Sequence, residues 1–424
     1  MSKVLFFNIP AHGHTYPTLP LVTELIRRGE QVTYYSSNAF RQVIEDTGAT
    51  FRNFVTPYLN DETQIEENMV RVAYMLLQIT RTALAALVPQ VKEDKPDYII
   101  HDGLCPWGKY IAQILGIPAI CSMTTFAIPS FTLKNIGKLL KSPGDIRLLL
   151  SSTPISELSH TFIEGRKQLR PFHALANSLH RQYGIAQPQL LDVFANHNRL
   201  NIVYTSKQFQ PFADMLDDSF KFVGPSIAPR SDRVSFPFDT LGDIPIIYIS
   251  LGTVFNDKAD FYRTCFDAFV NSECKVVLAV GKRANMTALG TIPDNFIVRA
   301  FVPQLELLQR AALLVTHGGM NSVSEALCYG VPLLVIPQTA DQFLVGRRIQ
   351  QLGAGKTLHR GSVTASKLQS LAEEILMQPA YARISMRLGK SLGQPDGYIR
   401  AADEIQAFKR EIFGNVSTKS RLLP

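Results

Sequence analysis

The part of this chain best fitted to hold an anion is Thr316-His317-Gly318-Gly319-Met320-Asn321-Ser322, which follows an apolar run and precedes a helical pattern. Two glycines let backbone N–H groups approach a ligand at a helix start, where the first amides are unpaired and carry partial positive charge. Asn321 and Ser322 add side-chain donors, and Glu325, one turn on, can accept from two ribose hydroxyls. The same residues also make an N-capped helix with an incidental turn, so the segment alone leaves both readings open. Three more strand ends in this half carry polar groups. Ser250-Leu251-Gly252-Thr253 offers Thr253 to phosphates, and Phe301-Val302-Pro303-Gln304 offers an aromatic face for a base, main-chain groups at Val302 and a Gln304 amide for a sugar. Pro337-Gln338-Thr339-Ala340-Asp341-Gln342 offers Asp341 and Gln342 to vicinal hydroxyls of a hexose. Taken singly, Phe301 reads as core and Asp341 as a helix cap. Four strand ends aimed at one crevice are harder to explain as structure alone.

In the other half, Ile9-Pro10-Ala11-His12-Gly13-His14 ends the first strand pattern, with Pro17 suited to a first helical turn. An imidazole there titrates near neutral pH and can act as general base. It needs a carboxylate to fix its tautomer and stabilise the imidazolium. Asp102, after the apolar run Tyr98-Ile99-Ile100-His101, stands at an equivalent sheet end, so His14 and Asp102 are the candidate pair and His12 and His101 are bystanders. A lone loop histidine is otherwise a surface hydrogen-bonding residue.

Parallel sheets are the elements that must position these groups. Apolar runs at Val4–Ile9, Val32–Ser36, Tyr98–His101 and Ala119–Cys121 alternate with helical patterns at Thr18–Arg28, Ala39–Thr47 and a stretch ending near Gly116. That alternation predicts an α/β fold with helices on both faces of a parallel sheet. Residues from about Pro129 to Ser206 read as a helix-prone insertion, and the Pro-, Ser- and Asp-containing stretch before Ile246 reads as a linker. A second series follows, with strands at Ile246–Ser250, Lys275–Val280, Phe296–Arg299, Leu313–Thr316 and Leu333–Ile336 and helices near Ala259–Val270, Met320–Tyr329 and Gln342–Leu352. Two doubly wound, Rossmann-like domains facing a central cleft are therefore expected. The boundaries are an N-terminal acceptor-binding domain at 1–222, a linker at 223–245, a nucleotide-sugar domain at 246–396, and at 397–424 a closing helix that crosses back to the first domain. The 424 residues, 46% hydrophobic, suffice for two cores and exclude disorder as the main state. The formal charge of +7 is spread without a basic run, which fits an anionic small molecule better than a nucleic acid. Five widely spaced cysteines with no CxxC pair predict reduced thiols in a cytoplasm, and Arg71 and Arg81 inside the apolar stretch Met69–Val88 argue against a membrane span.

The block from Phe301 to Gln342, together with Ala11-His12-Gly13-His14, resembles the UDP-sugar-dependent glycosyltransferases of the GT-B fold, in particular their bacterial macrolide and natural-product branch. The likeness runs over essentially the whole chain and is strongest between 244 and 355. It implies His14 as base and Asp102 as its partner. It also implies Phe301 where the family usually has a uracil-stacking Trp, Val302 at the base edge, and Gln304 and Glu325 at the ribose. His317, Gly319, Asn321, Ser322 and Thr253 fall at diphosphate positions, and Asp341 with Gln342 at the sugar. Plant members usually have Cys-Gly-Trp where this chain has Gly318-Gly319-Met320. The implied reaction is transfer of a hexose, glucose by family likeness, from a UDP-sugar to a hydroxyl of a hydrophobic acceptor such as a macrolide or flavonoid, with inversion. No Asp-x-Asp sequence occurs, so neither metal nor cofactor is expected, and the partners are the two substrates alone. Phe54, Tyr58, Met69, Tyr74, Met75, Trp107, Phe126, Phe131 and Phe162 supply apolar surface for the acceptor, with Phe54, Tyr74, Trp107 and Phe126 as the candidates. The alternatives are a UDP-sugar epimerase, a non-catalytic partner protein of the same fold, and a nicotinamide oxidoreductase, the last opposed by the missing G-x-G-x-x-G.

Overall fold

The first strand shows why this chain makes parallel sheets: in β1 (Lys3–Phe7) every residue after Lys3 is buried, as happens when helices cover both faces. A computed structural model describes residues 1–56, 68–129, 155–228, 235–252, 259–282 and 284–419. Among them, Met1–Ile227 and the segment from Asp396 onward form one unit, and Ala228–Pro395 the other.

In the first unit β1 leads into a single helical turn, α1 (His12–Thr15), a 3-10 turn at Tyr16–Thr18 and helix α2 (Leu19–Arg27). Then come β2 (Gln31–Ser36), α3 (Arg41–Glu45), β3 (Thr50–Asn53), α4 (Met69–Asp94), β4 (Tyr98–Asp102), α5 (Pro106–Leu115) and β5 (Ala119–Met123). Helix α6 (Ile155–Tyr183) precedes β6 (Leu200–Val203) and β7 (Phe220–Phe222). The strands form one parallel sheet in the order β3-β2-β1-β4-β5-β6-β7, so the order reverses between β1 and β4. The expected insertion over 129–206 therefore needs correction, because it ends in a sheet strand, β6. Leu200–Val203 is too short to announce itself beside the helical pattern before it.

One face of this sheet packs against α4, α5 and α6 through Phe7, Ile99, Leu77, Leu84, Trp107 and Phe172. Asn68 caps α4, its side chain accepting from the N–H groups of Val70 and Arg71. Helix α4 is long and apolar enough, by length and composition, to cross a membrane; here Ala73, Leu76, Leu77, Ala83, Leu84 and Leu87 are buried in the protein core.

The second unit runs β8 (Ile246–Ser250), α7 (Ala259–Phe269), β9 (Lys275–Ala279), β10 (Phe296–Arg299), α8 (Gln304–Leu308), β11 (Ala311–Thr316), α9 (Met320–Cys328), β12 (Leu333–Val335), α10 (Ala340–Leu352), β13 (Gly355–Thr357), α11 (Ala365–Met377) and α12 (Pro379–Leu392). Its sheet is also parallel, in the order β10-β9-β8-β11-β12-β13, with the reversal between β8 and β11. Helix α13 (Gly397–Lys419) returns to the first unit and packs on α2. Its Ala401, Ala402, Ile405 and Phe408 join Leu21, Leu25 and Ile100 in the core on the sheet's second face. The two α/β layers and the returning helix match the expected architecture.

Candidate active site

In doubly wound sheets, ligands bind where the strand order reverses, at the carboxyl ends of the flanking strands. In the first unit those strands are β1 and β4, and they bring His14 and Asp102 together across 88 positions of sequence. The His14 Nδ1 lies 2.8 Å from Asp102 Oδ2. Asp102 is buried, and its other oxygen accepts from the Leu104 N–H at 2.7 Å. The Thr124 hydroxyl, just past β5, lies 3.2 Å from His14 Nδ1 and 3.5 Å from Asp102 Oδ2. Sequence reasoning missed Thr124; its only mark is its place after a strand in the same sheet.

The two bystander histidines do different work. His12 stacks on Tyr16 with ring centroids 5.3 Å apart. His101 is fully buried, between the Asp102 carbonyl (2.9 Å from Nδ1) and the Asn198 amide (2.6 Å from Nε2). Donation from Asn198 makes Nε2 an acceptor and leaves the proton on Nδ1, aimed at the Asp102 backbone. Burial pushes the His101 imidazole down to about 4, so it is neutral at ordinary pH.

In the second unit the reversal lies between β8 and β11, and the loops after them touch. A Cβ on Gly252 would meet His317 Cε1 at 2.6 Å, and a Cβ on Gly319 would meet His317 Nε2 at 2.6 Å, so the imidazole is packed between two glycines. Gly252 also has φ +79 and Gly318 φ +90, both in the left-handed region that favours glycine. Burial pushes His317 down to about 4, against the opposing pull of the Asp341 carboxylate and a backbone contact at Ser250. Gly319 is the N-cap of α9, whose first amides open at this point. Asn321 and Ser322 are half-buried in its first turn.

Three predicted groups form one network: Gln304 Nε2 donates to Glu325 Oε2 at 2.5 Å and to Ser322 Oγ at 3.3 Å, while Gln304 Oε1 accepts from the Tyr248 hydroxyl at 2.8 Å. Phe301 is not core. It is 43% exposed, at the mouth of the loop after β10, with the Lys282 ammonium 5.5 Å from its ring centre. Val302 beside it is half-buried. Beyond β12, the Gln342 side-chain oxygen accepts from the N–H groups of Gln338 (2.9 Å) and Thr339 (3.3 Å), closing a capping box. Asp341 is exposed and accepts from the Thr339 hydroxyl. Thr253 lies outside the described residues.

The acceptor candidates divide. Trp107 is 1% exposed in the core with Phe7, and Phe126 is buried against Phe209, so both serve packing instead of lining a surface. Phe54 and Tyr74 are partly buried against the core that holds Trp107. Met75 packs there too and Met69 is exposed, whereas Tyr58, Phe131 and the Phe162 side chain lie outside the described residues.

Comparison with known proteins places this arrangement among others. Residues 263–397 match the family described as the erythromycin biosynthesis protein CIII-like C-terminal domain. The chain is 33% identical over 411 residues to the uncharacterized UDP-glucosyltransferase YojK of Bacillus subtilis, covering 96% of this chain and 97% of that one. It is 34% identical to the NDP-glycosyltransferase YjiC of Bacillus licheniformis, covering 96% and 98%. Among solved structures, the glycotransferase of kitacinnamycin superposes with a TM-score of 0.78 at 27% identity, covering 96% of this chain and 98% of that one. The calicheamicin glycosyltransferase CalG4 gives 0.78 at 25% identity, covering 97% and 99%.

Proposed function

Because this chain belongs to the UDP-glycosyltransferases of the GT-B fold, and is thus a sugar-transferring enzyme, we propose that it moves a hexose, glucose in the first instance, from a UDP-sugar to a hydroxyl of a hydrophobic natural product, with inversion. The observation that carries the chemistry is the 2.8 Å contact between His14 Nδ1 and the buried Asp102 carboxylate. With the proton on Nδ1 donated to Asp102, Nε2 is the basic nitrogen. It takes the acceptor's hydroxyl proton as that oxygen attacks the anomeric carbon. The new C–O bond forms opposite the bond to the diphosphate, which breaks with its electron pair and releases UDP. Asp102 stabilises the imidazolium until the proton passes to water.

The donor half of the reading rests on the second unit. The start of α9 and the glycines around His317 supply amides for the diphosphate, where fixed donors meet the charge that develops on the leaving group. Phe301 offers an open ring to the base, Gln304 and Glu325 serve the ribose, and Asp341 with Gln342 the sugar. Neither a metal ion nor a cofactor is proposed in any step. The name UDP-glucosyltransferase on one relative supports the donor. The acceptor class is supported by a 29% identical oleandomycin glycosyltransferase of Streptomyces antibioticus. Five free thiols suit a cytoplasmic enzyme.

The test is to incubate the purified protein with UDP-glucose and a panel of macrolide and phenolic alcohols, then read products by mass and anomeric configuration by proton NMR. A β-linked glucoside is expected; an α-linked product, or no transfer to any acceptor, overturns the proposal.

A further inference from the structure

Beneath the turn that carries His14 lies a chain of buried polar side chains that the reaction scheme does not use. Asn8, Tyr34, Thr18 and Thr15 are all at most 3% exposed. Asn8 Nδ2 donates to the His14 carbonyl at 3.0 Å and to the Tyr34 hydroxyl at 2.5 Å, and its Oδ1 accepts from the Ile9 N–H at 2.9 Å. Thr18 Oγ1 lies 2.8 Å from the Tyr34 hydroxyl and donates to the Thr15 carbonyl at 2.7 Å.

A threonine has one hydroxyl proton, and that of Thr18 is spent on Thr15. The Tyr34 proton therefore points to Thr18, and the Tyr34 oxygen accepts from Asn8. The direction of every bond follows: Asn8 to Tyr34, Tyr34 to Thr18, Thr18 to the Thr15 carbonyl, with the second amide proton of Asn8 on the His14 carbonyl. One phenol on β2 thus ties down two successive carbonyls of a four-residue turn. Pro17, in the 3-10 turn that follows, has no N–H to offer a carbonyl one turn back. Burial holds the Tyr34 phenol well above its usual range, so it stays a neutral donor.

We infer that Asn8, Tyr34 and Thr18 are positioning residues for the transfer reaction: they fix the His14 backbone so that its ring keeps the Asp102 contact with Nε2 presented. This rests on the reading of His14 as base. His12–Thr15 is a four-residue turn that passes directly into the 3-10 turn Tyr16–Thr18, and a small misplacement of a catalytic group on it is costly.

The experiment compares Tyr34→Phe with the parent enzyme in transfer from UDP-glucose. The substitution keeps the ring that stacks on Phe6 with centroids 4.8 Å apart, and removes only the hydroxyl. The expected result is a folded protein with kcat lowered about tenfold, donor KM changed less than about twofold, and the acidic limb of the pH–rate profile displaced. In a His14→Ala background the same change should lower the residual rate no further, because the network acts only through that ring. Thr18→Val should reproduce the loss and Thr18→Ser should restore most of the rate, which serves if the tyrosine variant does not fold. Parent-like kcat and pH profile in folded Tyr34→Phe, or an equal loss with and without His14, overturns the inference while leaving His14 as base. Full turnover in His14→Ala overturns the base assignment itself, and the inference with it.

Discussion

At the scale of single residues, the proposed transfer depends on which nitrogen of His14 holds a proton, and the Asp102 contact on Nδ1 sets that. His14→Ala should leave only a small residual rate of transfer while UDP affinity, measured by calorimetry, stays within about twofold of the parent, because the residues proposed for the nucleotide belong to the other unit. Asp102→Asn keeps the shape but can hold the wrong tautomer, and kcat should fall at least about 100-fold. His101 makes a separate prediction. Its imidazole is held near 4 in the folded protein against an ordinary 6.5, so between those values the unfolded chain binds a proton that the folded chain refuses. Stability is therefore whole above pH 6.5 and falls as pH drops toward 4, by on the order of 3 kcal/mol when the shift is fully expressed. Urea unfolding at pH 7 and pH 4.5 should show the loss, and His101→Gln should remove its share, leaving that of the equally buried His317.

At the scale of elements, the loops after β8 and β11 depend on having no side chains where they close on His317. Gly319 has an ordinary φ of −61, so Gly319→Ala adds no backbone strain, only a methyl 2.6 Å from the imidazole nitrogen. That should push the ring out of place and weaken UDP binding about tenfold, a loss of about 1.4 kcal/mol, read by calorimetry. Much of this layout was legible in the chain itself, for a physical reason. Strands buried on both faces are largely continuous apolar runs, as in Ile246–Ile249 and Tyr98–Ile100, and in a parallel sheet their carboxyl ends share one edge, so residues after them can be grouped without coordinates. Three-residue strands such as Gly355–Thr357 and Phe220–Phe222 give no such run. Trp107 looked available to an acceptor because a Trp at helical spacing carries no mark of which side it faces. Phe301 misleads in the opposite direction, since an aromatic residue after a strand is usually packed away. The Asn8 and Tyr34 pairing depends on the register that sets Phe6 beside Tyr34 in β1 and β2, which no local pattern encodes.

At the scale of the whole molecule, the first unit is built from two stretches of sequence separated by the entire second unit. The returning helix α13 contributes Ile405 and Phe408 to the core, and its Asp403 and Lys409 pair with Arg28 and Glu30. Burying those two large side chains is worth roughly 3 to 6 kcal/mol, comparable with the net stability of an ordinary domain. A chain ended after Pro395 should therefore lose the cooperative unfolding transition of the first unit and bind a hydrophobic dye, while the second unit keeps its own transition in calorimetry. The arrangement also sets an order of events during synthesis. The second unit has all of its strands and helices once residue 395 clears the ribosome, but the unit that carries His14, although begun first, must wait with an open flank until the last helix emerges. Until then the Leu21, Leu25 and Ile100 surface that the last helix covers stays open on the newborn chain, the kind of exposed apolar surface that favours aggregation.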